Sequence, residues 1–272
     1  MVRIILGLFV IVYLGFTLPL LSVGADDIRM ANVFSIDESD IATEVWNLYM
    51  VGWERRPSFK YGGFFYYVPV LMLHTWAAVA PVSEHVVLLV LRLFCALSGI
   101  GCLWFMYRIG LEVFGRKVAL VAVFLFLVLP TFLRWTVESH PDLPQLFWIL
   151  FSVLFALRYT NKFGYRNVCL AAIGAGLAFG TKFGGVFLLP TLYVALFIPL
   201  DLSNPWVHLK DLRRWVGGGI IVLGFCGAFI VSNPFALIYF PDFVQSLMAE
   251  KAIMTFGHRV QATSGAEAWV MI

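Results

Sequence analysis

VVLLVLRLFCALSGIGCLWFMY, residues 86–107, carries a single charge, Arg92, in a run long enough to cross a bilayer. The hydrocarbon core takes about 20 apolar residues at a rise of about 1.5 Å each. Six further runs approach that length: 4–24, 118–134, 143–159, 168–182, 184–200 and 215–232. Of the 272 residues, 61% are hydrophobic and 13% charged, more apolar surface than a soluble core needs. The sequence therefore predicts an all-α, polytopic transmembrane bundle of about seven spans, a single domain over 1–272. Arg92 lies about two turns inside its run, so it must face the bundle or reach outward to headgroups.

Charge assigns the two sides. With Met1 inside and the spans alternating, the inside segments are the amino terminus, 108–117, 158–167 and 201–214. They hold ten basic residues (Arg3, Arg108, Arg116, Lys117, Arg158, Lys162, Arg166, Lys210, Arg213, Arg214) against three acids, Glu112, Asp201 and Asp211. The rest of the chain holds nine basic and thirteen acidic residues. This is the positive-inside bias. It requires the aromatic segment 62–82, with Pro69 and His74, to lie in or dip into the outer interface without crossing, since a crossing there would put 108–117 and 158–167 outside. The first outer loop is then about 25–85 and an outer tail begins near 233. Arg3 and Val23-Gly24-Ala25 resemble a secretory signal, but 4–23 is longer than a usual signal core, so a retained first helix is expected. Gly217-Gly218-Gly219 lets a neighbouring helix approach closely.

A formal net charge of +3 offers nothing to a nucleic-acid partner. Cys95, Cys102, Cys169 and Cys226 all fall in apolar runs, pair in no CxxC, and read as small buried hydrophobes.

Four stretches hold residues with chemical reach. In Ser35-Ile-Asp-Glu-Ser-Asp-Ile-Ala-Thr-Glu44, Ser35 or Asp37 can cap an amphipathic helix running through Tyr49. A carboxylate fixed at such a start serves equally as a solvated cap or as a general base for an incoming hydroxyl. Glu138-Ser-His140-Pro-Asp142 sets three ionisable groups at the water–lipid boundary, where they are costly unless paired or functional; Asp142-Leu-Pro also reads as a helix start. Lys182, flanked by glycines, can reach a phosphate, pair with Asp142, or snorkel. His258-Arg259 in the tail can contact a phosphate. Asp26-Asp27 has the look of a metal-binding pair but sits where it marks topology. Phe64-Phe-Tyr-Tyr67 reads as a lining for a polyisoprenoid groove or as an interfacial aromatic belt.

The order of these features resembles a known family: an inside amino terminus, one span, an outer Asp37-Glu38 pair leading an amphipathic helix, Tyr61-Gly-Gly-Phe64, Leu91-Arg-Leu-Phe94, Phe114-Gly-Arg-Lys117, Glu138-Ser-His-Pro-Asp142 and Thr181-Lys-Phe-Gly184. It is similar to the GT-C superfamily of polytopic glycosyltransferases, and most like the protein-mannosyltransferase group that includes aminoarabinose transferases acting on lipid A. That resemblance implies a polyprenyl- or dolichyl-phosphate sugar donor, transfer to a lipid, protein or glycan hydroxyl on the outer or lumenal face, inversion at the anomeric carbon, and no metal or other cofactor. It assigns Asp37 as general base followed by Glu38, and Asp142 as the second outer acid. Glu138, His140, Lys182, His258 and Arg259 are then the expected substrate contacts. Family members are longer and have more spans, so a truncated product or amino-terminal half is expected, with the acceptor site in doubt. Short loops lean toward a bacterial inner membrane over an endoplasmic reticulum. A transporter or flippase would place charge at span centres, where this chain has little; a lipid-linked-sugar-binding subunit without turnover also fits a short chain.

Overall fold

The computed structural model describes residues 2–26, 35, 37–52, 58–198 and 207–256, and every regular element among them is helical. The helices are α1 (Val2–Thr17), α2 (Glu38–Val51), α3 (Gly63–Ala77), α4 (Glu84–Phe114), α5 (Arg116–Leu127), α6 (Pro130–Val137), α7 (Asp142–Asn161), α8 (Tyr165–Thr181), α9 (Leu188–Phe197), α10 (Leu212–Ser232), α11 (Phe235–Ile238) and α12 (Phe240–Phe256).

Three of these, α4, α7 and α10, are long and apolar enough to cross a bilayer. The α5–α6 pair makes a fourth if its 63° bend is one broken span. The bend falls at Leu129-Pro130, where proline removes a backbone donor and drives the residue before it into extended geometry. Ile4–Leu20 and Phe183–Phe197 are apolar but shorter. Length alone therefore supports three or four crossings among the described residues, against an expected seven.

Polar contacts define two ends of the bundle. At one end the Gly62 N–H donates to the Thr181 carbonyl at 3.0 Å, Asn233 Nδ2 to the Gly180 carbonyl at 3.1 Å, and Arg92 Nη1 to the Leu21 carbonyl at 2.9 Å. At the other, Arg158 Nε donates to Glu112 at 2.9 Å, the Tyr159 hydroxyl to the Leu192 carbonyl at 2.7 Å, and Arg214 to the Leu196 carbonyl. The chain runs between these ends in alternation: α1 toward the first, α4 away, α5–α6 back, α7 away, α8 back, α9 away and α10 back.

The core divides accordingly. α2 and α3 pack with Val86–Cys95 of α4 in one cluster, which includes Ile41, Val45, Phe65, Tyr66 and Leu73. Phe64 packs edge-on to Trp148 of α7, and Tyr67 to Phe235 of α11, so these two rings serve helix packing. α8 binds α7 and α10 through small residues, with Ala171, Ala172, Gly174, Ala175, Gly176 and Ala178 all buried. In a bilayer such residues let backbones approach where dispersion, not water, drives association. α10 approaches α8 closely at Gly176, whose position meets the Phe225 carbonyl, and at Gly224; of the 217–219 triplet, Gly217 and Gly218 are buried against Leu196 and Tyr193 of α9, and Gly219 faces open space. Cys95 and Cys102 are buried as expected, but Cys169 is only partly covered and Cys226 is exposed.

Candidate active site

Asp37 occupies the N-cap position of α2 but makes no side-chain cap hydrogen bond. Ser35 Oγ accepts its N–H at 3.4 Å, and the Asp37 carboxylate turns away from the helix. Oδ1 takes Lys60 Nζ at 3.0 Å and Oδ2 takes the Tyr61 hydroxyl at 2.9 Å. An aspartate at an N-cap ordinarily satisfies an orphan N–H of the first turn, worth about 1 kcal/mol. Here the carboxylate is diverted to a second segment of chain. Partial burial pushes its pKa up, but the Lys60 and Tyr61 hydrogen bonds and the facing Lys60 and His140 charges outweigh burial, leaving it below the ordinary carboxylate value. Tyr61 moves oppositely: burial, then the Asp37 hydrogen bond, pushes its phenol well above the usual range.

The second acid belongs to the same array. Tyr61 Oη lies 3.0 Å from His140 Nε2, and His140 Nδ1 contacts Asp142 Oδ2. Lys182 Nζ closes on Asp142 Oδ1 at 2.6 Å. Pro141 starts α7 and fixes Asp142 in its first turn, where the helix dipole favours negative charge. Lys182 follows the end of α8, in extended backbone, and its carbonyl accepts Gln145 Nε2 at 2.7 Å. Asp37, His140, Asp142 and Lys182, separated by up to 145 positions of sequence, thus meet in one cluster.

Glu38 has a different fate. Its side chain is 0% exposed and pairs in a fork with Arg92, Nε to Oε1 and Nη2 to Oε2, each at 3.1 Å. The Ser139 N–H donates to the same Oε1 at 3.0 Å, and Arg92 Nη1 also donates to the Leu21 and Val23 carbonyls. One buried ion pair therefore ties together the segment that follows α1, the start of α2 and the loop bearing His140. Removing one partner of such a pair costs about 3–5 kcal/mol because the other charge is left buried alone. Expected beside Asp37 in catalysis, Glu38 instead holds the frame on which Asp37 and His140 sit. Glu138 is also buried, and its Oε2 lies 3.4 Å from Arg134 Nε one helical turn back, outside the cluster. His258 and Arg259 lie outside the described residues, as does Asp27; Asp26 stands 3.9 Å from His85. Among the described residues no three His, Cys, Asp or Glu side chains gather as metal ligands do.

Lys60, the partner of Asp37, lines two grooves. The first, about 310 Å³, is walled by Asp40, Ile41, Thr43, Glu44, Asn47, Ser58 and Tyr66. The second, about 290 Å³, presents Tyr61, Gln145, Lys182 and Lys251 together with Phe183, Gly184, Phe187 and Leu247. One is hydroxyl- and carboxylate-lined; the other joins cationic heads to an apolar wall.

The family model described as dolichyl-phosphate-mannose-protein mannosyltransferase matches residues 68–232. The chain belongs to this family. The mannosyltransferase match covers more than half of the chain and holds His140, Asp142, Lys182 and Arg92, while Asp37, Glu38, Lys60 and Tyr61 precede it. Membership places the protein among GT-C membrane glycosyltransferases. No curated protein and no solved structure matches it.

Lys60 and Tyr61 are the site residues that sequence reasoning passed over. Lys60 is a cation in an acid-rich loop, and Tyr61 stands out in the sequence only as part of Tyr61-Gly-Gly-Phe64. The Arg92–Glu38 pair was half visible, since an arginine inside a span demands an anionic or polar partner, but nothing in the sequence picks Glu38 over its acidic neighbours.

Proposed function

We propose that this mannosyltransferase-family protein transfers a sugar from a polyprenyl-phosphate carrier to an acceptor hydroxyl, with inversion, at the outer or lumenal face of a membrane, a bacterial inner membrane in the first instance, with its amino terminus inside. The observation that carries this reading is the diversion of Asp37. A carboxylate that makes no cap hydrogen bond and instead binds Lys60 and Tyr61, residues that line the grooves, is held for something other than helix stability.

The grooves suit the two substrates. A carrier phosphate fits between Lys60, Lys182 and Lys251, and its prenyl chain fits along Phe183, Phe187 and Leu247. A hydroxyl-bearing acceptor fits against Thr43, Asn47 and Ser58. The acceptor oxygen attacks the anomeric carbon from the side opposite the phosphate, and Asp37 takes its proton. With its pKa held low, Asp37 is ionised at neutral pH but is a weak base, so the proton moves late, as the new C–O bond raises the acidity of the attacking hydroxyl. Lysines beside the phosphate balance the charge that develops as it departs.

Reconstitution in proteoliposomes with a polyprenyl-phosphate mannose donor and a mixed hydroxyl acceptor tests the proposal. Asp37→Asn is expected to lower transfer by about 10²-fold or more, the span of general-base contributions, while the protein still inserts in the membrane. Full activity in Asp37→Asn would remove Asp37 from the role.

A further inference from the structure

We infer that Tyr61 and His140 form a proton relay that carries the acceptor's proton away from Asp37; this rests on Asp37 acting as the base. Asp37 Oδ2 and His140 Nε2 are 3.8 Å apart, too far for a direct hydrogen bond. The Tyr61 oxygen stands between them at 2.9 and 3.0 Å. One hydroxyl therefore touches both groups, and its ring is held by edge contacts with Phe65 and His140.

The hydrogen-bond directions set what the chain can do. Tyr61 has one hydrogen to give, and it donates to Asp37. Its lone pairs then face His140 Nε2, and that contact is favourable only in the state in which Nε2 carries a hydrogen. His140 Nδ1 faces Asp142, a carboxylate tied to Lys182 that can only accept. All these contacts are satisfied together when the imidazole holds hydrogens on both nitrogens. With a neutral imidazole, one nitrogen lone pair faces either the Tyr61 oxygen or the Asp142 carboxylate. The array is thus complete with one proton more than a neutral ring holds, and the acceptor supplies that proton.

The step balances as follows. The acceptor oxygen forms its bond to the anomeric carbon, the carbon–phosphate oxygen bond breaks, and its electron pair leaves on the carrier phosphate. The acceptor hydrogen passes to Asp37. Once protonated, Asp37 donates to the Tyr61 oxygen, the Tyr61 hydroxyl swings its own hydrogen to the bare Nε2 of a neutral ring, and the two hydrogens shift together, one from Asp37 to Tyr61 and one from Tyr61 to His140. Asp37 is again a carboxylate, and His140 is an imidazolium beside Asp142. The released carrier phosphate, a stronger base than the diester-like donor, or bulk water takes the proton and resets the ring.

The relay makes Asp37 renewable within the closed site, and it predicts a dependence that simple packing roles do not. In the proteoliposome assay, His140→Ala is expected to lose about 10-fold or more in kcat, as a proton-transfer group does, with the donor KM unchanged, and millimolar imidazole in the medium is expected to restore part of that loss. Tyr61→Phe keeps the ring and its packing, is expected to lose a similar factor, and is not rescued by imidazole because the chain is broken before the ring. A Tyr61→Phe protein with wild-type kcat, or a His140→Ala protein that imidazole leaves unimproved, overturns the relay. Either result with Asp37→Asn still inactive leaves the base in place and removes only the relay; an active Asp37→Asn removes both.

Discussion

Asp37 and Glu38 are neighbours in sequence and opposites in the structure. Successive positions on a helix point about 100° apart, so the first acid turns to Lys60 and Tyr61 while the second plunges onto Arg92. No reading of a DE pair can assign those two directions, because both residues carry the same charge and their side chains differ by only one methylene. Asp142 and Lys182 were legible for a different reason: two opposite charges at the ends of apolar runs on one side have few partners but each other. The electrostatics of Asp37 carry a prediction. Burial raises its pKa and Lys60 and Tyr61 lower it, with the lowering ahead. A depressed carboxylate pKa adds stability at neutral pH that is lost as pH falls through the folded-state value. It also keeps the base ionised to a pH below its ordinary pKa of about 3.9. In Lys60→Met the burial effect remains and its main counterweight is gone, so the acid limb of kcat/KM is expected to move to higher pH. A pH–rate profile with its acid limb unmoved would show that Lys60 does not set the ionisation of Asp37.

The elements explain why the site needs its neighbours to be small. α3 begins where α8 ends, with the Gly62 N–H on the Thr181 carbonyl, and a Cβ at Gly62 would run into the Gly180 carbonyl. Lys60 and Tyr61 immediately precede this contact, so it fixes where they stand. Gly62→Ala is expected to push α3 off α8, lower thermal stability by about 1–3 kcal/mol, the usual cost of overpacking, and lower transfer by displacing Tyr61. Thermal unfolding in detergent and the transfer assay check the two arms; a protein unchanged in both would mean that α3 does not start against α8. The helices themselves were readable from apolar runs, and their breaks from punctuation. Gly115, at φ +82°, turns α4 into α5 just where Phe114-Gly-Arg-Lys117 reads as a loop. The runs were less informative about crossing, because Pro130 bends one of them and the short turn Phe183–Phe187 shortens another, so an apolar run and a straight span are not the same thing here.

At the scale of the whole molecule, charge and packing describe the same division. Arg108, Glu112, Arg158 and Arg214 gather at one end of the bundle, and Asp37, Lys60, His140, Asp142 and Lys182 at the other. Sorting of basic residues by the positive-inside rule separates the same two groups without any structure. The sequence did not contain the third dimension of that sorting. It placed Asp37 and Asp142 on one face, and the fold links them through Tyr61 and His140 across α2, the α6–α7 loop and the segment before α3. The central claim is that this cluster works at the outer face, with the basic end inside. Sided cysteine labelling tests it most directly. In a cysteine-free background on intact cells, an impermeant maleimide is expected to label Asp37→Cys and Asp142→Cys from outside, and Arg213→Cys only after permeabilisation. Labelling of Asp37→Cys and Asp142→Cys from opposite sides would contradict the account.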